Sequence, residues 1–284
     1  MKLNLLLPVI ILLNLYPGTI SSQIIKQYQT RHSLRITDNE AAEIGRRIWN
    51  NESRGKIEGL TSWNEGEDFA SLGIAHFIWY PDGKTGPFKE TFPDFTRFLQ
   101  ANGVKLPPFM KKSQRCPWPD RQTFMKNFNS REMLELRNLL ESTISHQVRF
   151  AAIRLEQALP QMKNAATNNF RELIEERFYL VAAKPGGLYA LMDYVNFKGE
   201  GISETERYQG HGWGLLQVLT EMKEGNPLVE FSKAAARVLQ RRVRSSPPER
   251  NESRWLKGWI NRCRTYSSDN HEPLHPKDHK RQPE

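Results

Sequence analysis

Apolar positions along this chain recur mostly at helical spacing. Ala41, Ile44, Gly45, Ile48 and Trp49 fall on one helical face. Thr37-Asp38-Asn39-Glu40, just ahead of them, reads as a capping box. The predicted helix reaches about Asn51 or Glu52 and stops at Gly55. Gly59 to Tyr80 reads as loop and short strands. Phe77-Ile78-Trp79-Tyr80 is β-prone, and Pro81-Asp82-Gly83-Lys84 supplies a turn. Phe88, Phe92, Phe95, Phe98 and Leu99 predict a short helix before Gly103. From Arg131 onward helices dominate. The stripe Leu134, Leu139, Leu140, Ile144, Val148, Ala151 and Leu155 ends at Pro160. Further helices are expected near 170–183, 188–197, 214–222, 227–243 and 255–266. The expected fold class is therefore mainly α, with a small β and loop region after the first helix.

The two ends differ from this body. Met1-Lys2, an apolar run from Leu3 to Tyr16 and small residues at Thr19, Ser21 and Ser22 read as a secretory signal peptide over 1–22. An uncleaved anchor is the alternative, although the run is short against the about 20 residues a span needs. The expected organisation is a single domain over 23–266 and a polar, disordered tail over 267–284. The expected location is outside the cytoplasm, periplasmic or secreted, with no stable membrane span once the signal is removed. Cys116 and Cys263 are candidates for one disulfide in an oxidising compartment, or remain free thiols. They lack the paired spacing of a metal site, so neither a metal nor a cofactor is expected.

Net charge is +9, and +8 without the signal and its single Lys. A basic exported protein favours anionic partners such as cell-wall polymers. Much of the charge sits between Arg237 and Arg254, where it is either a solvated helix face or a binding patch. No base-stacking or groove-reading motif accompanies it, so nucleic acid is not an expected partner.

Glu52 stands out against this background. It follows Ile48 by four residues and so continues the apolar stripe of the first helix. A carboxylate there is costly unless paired or protonated. A carboxyl held protonated near neutral pH is what glycosidic bond cleavage needs. The alternative is a helix-end Glu that reaches solvent.

Three segments, in order, carry a resemblance. Ser71-Leu72-Gly73-Ile74-Ala75-His76 resembles the Thr-Ile-Gly-x-Gly-His segment of phage-type lysozymes. Ala190-Leu191-Met192-Asp193-Tyr194-Val195-Asn196-Phe197-Lys198-Gly199 is similar to that family's Ala-Leu-x-Ser-Phe-x-Phe-Asn-x-Gly helix. Gly258-Trp259-Ile260-Asn261-Arg262 resembles its late Gly-Leu-x-x-Arg-Arg stretch. The segments touch about forty residues, and 81–170 has no counterpart. The family's Thr is Ser71 here and its second Gly is Ala75.

The resemblance implies an α+β lysozyme-like fold and a polysaccharide substrate, peptidoglycan first. It implies Glu52 as general acid, although Glu58-Gly59-Leu60 also resembles the family's catalytic Glu-Gly-x. The second carboxylate falls among Glu65, Glu67 and Asp68, with Glu67 preferred and Asp68 next. Ser71 takes the hydroxyl position. Carboxyls roughly 6.5–9.5 Å apart favour inversion, and about 5–5.5 Å retention. His76 is either a site residue or a structural hydrogen-bond partner. Asn196 and Glu200 could line a sugar cleft or cap a helix. Trp63, Trp79 and Trp213 could offer flat faces to sugars or fill the core. The expected function is an exported glycan-cleaving enzyme, a lysozyme-like peptidoglycan hydrolase. The alternative is a non-catalytic cell-envelope glycan-binding protein.

Overall fold

The first helix, α1 (Asp38–Ser53), begins where the capping box places it. Thr37 Oγ1 accepts from the Glu40 amide at 3.2 Å, and the Thr37 amide donates to Glu40 Oε2 at 2.9 Å. Two amides that the helix leaves unpaired are thereby satisfied. Arg54, in the left-handed region at φ 55°, closes the other end. Ala41, Ile44, Gly45 and Ile48 are buried as their spacing requires. This is a computed structural model, and it describes residues 34–111, 114–204 and 206–267. The expected signal peptide and nearly all of the expected disordered tail lie outside the described residues.

A three-stranded antiparallel sheet follows: β1 (Thr61–Ser62), β2 (Ala70–Leu72) and β3 (Phe77–Trp79), in that order. Ser71, on the middle strand, pairs with Ser62 and Ile78. The β2–β3 turn is pinned from below. Gln147 Oε1 accepts from the Ile74 amide at 2.9 Å, and its Nε2 donates to the Leu140 carbonyl at 2.6 Å. Gly73 has φ 71°, and a Cβ there would lie 2.3 Å from Gln147 Oε1, so only glycine fits.

The rest is helical: α2 (Phe92–Ala101), α3 (Arg121–Lys126), α4 (Arg131–Ser142), α5 (Ile144–Ala165), α6 (Arg171–Ala182), α7 (Gly187–Lys198), α8 (Leu215–Glu221), α9 (Pro227–Ser245) and α10 (Ser253–Arg264). The expected mainly helical class with a small sheet after the first helix is what the structure shows. α1 packs along α5, and α9 packs on α8 and α10. One continuous apolar core runs from Ala41 to Tyr266, and the described chain from Leu34 onward forms one compact unit.

Several local expectations change. The stripe beginning at Leu134 is not one helix but two, separated at Thr143, and Leu134 itself is 48% exposed. Pro160 lies inside α5, which continues to Ala165. Phe88 lies before α2 and is exposed, so the phenylalanine pattern starts the helix four residues early. The glycine-rich 210–214 stretch contains half of a hairpin, β4 (Arg207–Tyr208) with β5 (His211–Gly212). Its two-residue turn, Gln209-Gly210, has both φ angles positive (50° and 78°), which suits strand twist.

The arginine-rich stretch divides: Arg244, Arg250 and Arg254 are exposed, while the other three turn inward. Arg237 donates to the Glu221 carbonyl, Arg241 pairs with the Glu221 side chain, and Arg242 grips Glu252 with two 2.8 Å bonds. Among the described residues no helix is long and apolar enough to cross a membrane.

Candidate functional site

Glu52 sits in the last turn of α1, where three parts of the chain converge. Its Oε2 lies 3.2 Å from His76 Nε2, on the β2–β3 turn. Its Oε1 accepts from Arg262 Nη2 at 2.7 Å, on α10. Its backbone faces solvent, but its side chain is only 22% exposed. A carboxylate accepts only, so His76 Nε2 carries a hydrogen. His76 Nδ1 lies 3.3 Å from Ser71 Oγ, and in the neutral ring it accepts from that hydroxyl. Ser71, His76 and Glu52 thus form one chain of contacts from the buried sheet to the surface.

Arg262 continues the chain inward. Its Nε and Nη2 grip Asp193 Oδ2 and Oδ1, each at 2.8 Å. Asp193 is wholly buried on α7 and also accepts from Tyr266 Oη at 2.7 Å and Asn51 Nδ2 at 3.0 Å. The Arg262 guanidinium lies 4.4 Å from the centre of the Phe197 ring. A buried ion pair holds only when its remaining donors and acceptors are satisfied, and Asp193 meets that condition. The network ties α1, the sheet, α7 and α10 together around Glu52.

This setting corrects the expected protonation of Glu52. Burial is the largest influence and pushes its pKa up. The His76 hydrogen bond and the Arg262 charge together outweigh it and bring the pKa down to about 2. Glu52 in the free protein is therefore ionised: it is paired, not protonated.

The remaining candidates separate. Glu67, in the β1–β2 loop, accepts from Asn64 Nδ2 at 3.2 Å, while its carbonyl accepts from Trp63 Nε1 at 2.7 Å. Those contacts are local to the loop and do not join it to the Glu52 network. Asp68 pairs with Lys84 at 3.2 Å, and Glu58 is exposed. Of the two roles open to Trp63, Trp79 and Trp213, filling the core is the one their burial fits. Trp213 has Tyr208 against it at 4.6 Å and the Arg242 guanidinium 4.0 Å from its ring centre.

His76, Asn196 and Glu200 do come together. They line a cavity of about 310 Å³, which Arg154, Lys89 and Glu206 also face. The backbone at its far end is drawn tight. A Cβ on Gly214 would lie 2.2 Å from the Gly201 amide nitrogen, so α8 can start there only with glycine. Burial pushes the Glu200 pKa up, and Arg154 partly offsets this.

Sequence reasoning does not assign Arg262, Asp193, Asn51 or Tyr266 to the site. Asp193 carries a readable signal, a lone carboxylate between Met192 and Tyr194 in an apolar helix. Arg154 and Lys89 carry none. Among the described residues no cluster of His, Cys, Asp and Glu could hold a metal. Searches against protein-family models, curated proteins and solved structures find no match for this chain.

Proposed function

We propose that this is an exported glycan-cleaving hydrolase of the lysozyme-like kind, acting on peptidoglycan, with Glu52 as the residue on which the reaction turns. The observation that carries the reading is the convergence of His76 and Arg262 on a carboxylate at the end of the first helix. It gains support from the adjoining cavity, which shares His76, and from the three ordered sequence resemblances.

The ionised state of Glu52 shapes the mechanism. An acid catalyst must hold a proton when the bond breaks. A glycan that covers Glu52 excludes water, and sugar hydroxyls that engage Arg262 or His76 weaken the influences holding the pKa down. Both changes move Glu52 toward the protonated form. The proton then passes to the glycosidic oxygen as the C–O bond breaks. Water bonds to the anomeric carbon and gives up its proton to a second carboxylate, for which the β1–β2 loop offers Glu67, then Asp68.

One observation favours a second reading, a glycan-binding protein without turnover. A carboxylate held at about 2 by two cationic or donor partners is a stable ion pair in its own right. The two readings part on purified cell-wall sacculi. A hydrolase releases soluble fragments with new reducing ends. Saturable binding with no release, over a protein range that gives full occupancy, would reject the enzyme reading.

A further inference from the structure

The cavity beside His76 contains charges of both signs that face one another without closing on one another. Arg154, on α5, and Glu200, just past α7, each feel the other's charge. Among the described residues, however, they form neither a hydrogen bond nor an ion pair. Lys89 and Glu206 add a second cation and a second carboxylate to the wall. Asn196 Nδ2 is buried with no hydrogen-bond partner. Most of the remaining lining is apolar, including Ile48, Ile78, Val148 and Leu155, with Thr91, Gln147 and Ser203 as the other polar side chains. Half-buried opposite charges kept apart are costly to leave unbridged. A cavity of about 310 Å³ matches the small end of ligand pockets.

We infer that this cavity binds a short zwitterionic peptide, its carboxylate on Arg154 and its ammonium on Glu200, with small aliphatic side chains against the apolar wall. The binding itself does not rest on the proposed hydrolase function.

The test is calorimetry with alanyl-alanine, its N-acetyl form and its C-terminal amide, using the full protein. The free dipeptide binds, and each blocked form binds at least tenfold more weakly. Glu200→Gln equalises the free and N-acetyl forms while keeping the preference for the free carboxylate. Glu132→Gln, exposed on α4 and outside the cavity, keeps the full pattern and shows that the first result is local. Unfolding curves confirm that both variants are folded. Equal affinity for all three ligands, or no binding at millimolar concentration, overturns the inference. Glu52→Gln binds the dipeptide like the parent, so failure of the hydrolase reading leaves this result standing. Conversely, a protein that cleaves sacculi but does not discriminate among the three ligands loses only the cavity assignment.

Discussion

Arg262, on the last helix, lies 2.7 Å from Glu52, at the end of the first, and grips the buried Asp193 with the same guanidinium. One side chain therefore serves two carboxylates of different kinds. Asp193 is wholly buried and structural, whereas Glu52 is partly open and chemically available. The position of α10 and the charge state of the site depend on the same residue.

Removing Arg262 should accordingly cost stability, chiefly through Asp193. Arg262→Met leaves a buried carboxylate unpaired, and about 3–5 kcal/mol is expected in urea unfolding. Adding Asp193→Asn should recover a large part of that loss, because the uncompensated charge goes with it. A double variant no more stable than Arg262→Met alone would show that the cost lies elsewhere.

Glu52 should make the fold acid-sensitive in a defined direction. Its folded pKa, about 2, is below the ordinary 4.5, so folding favours the ionised form. The stabilisation is fully present above about pH 5 and is lost as pH falls from there toward 2. It is on the order of 1–3 kcal/mol once solvent screening is allowed for. The stability gap between the protein and Glu52→Gln should shrink between pH 6 and pH 3. A gap that stays constant over that range counts against the ion pair.

His76 should be the tuning partner of Glu52. Without the 3.2 Å contact one lowering influence disappears, and His76→Ala should raise the Glu52 pKa by about one unit or more. Carboxyl-carbon NMR titration reads this directly. An unchanged midpoint would leave Arg262 as the sole determinant.

The two cysteines should behave as protected thiols. Cys116 and Cys263 are both buried and unbridged, and burial pushes each thiol up to about 12. The folded protein should resist a thiol reagent at pH 8 and show both thiols once unfolded. Absence of titratable thiols after unfolding without reductant would establish the disulfide that the sequence leaves open.

How much of this was legible in the chain differs from element to element. The start of α1 is readable because a capping box is a local arrangement of Thr37 and Glu40. The alignment of Glu52 with the stripe is readable because helical spacing is regular. The break at Thr143 is not, because Leu134 to Leu155 keeps an apolar rhythm across both helices. The β4–β5 hairpin is hidden because its strands have two residues each and carry no alternation. The protonation of Glu52 could not be read correctly, since it depends on a partner 210 positions away. Sequence shows that a carboxylate on an apolar face needs compensation; only the fold shows that Arg262 and His76 supply it as charge and hydrogen bonds. Which of their two roles the tryptophans take is likewise decided only by the fold. Their flat faces are real, but Trp213 spends its own on Arg242 and Tyr208.

The central claim is that Glu52 carries glycan cleavage. The most direct measurement is the rate of new reducing ends from purified sacculi, with the parent protein and Glu52→Gln compared at equal concentration and confirmed folding. The account predicts steady release by the parent and a loss of at least about 100-fold in the variant, the scale at which positioned acid catalysis contributes. Equal rates in the two proteins, or no release by either, would contradict it.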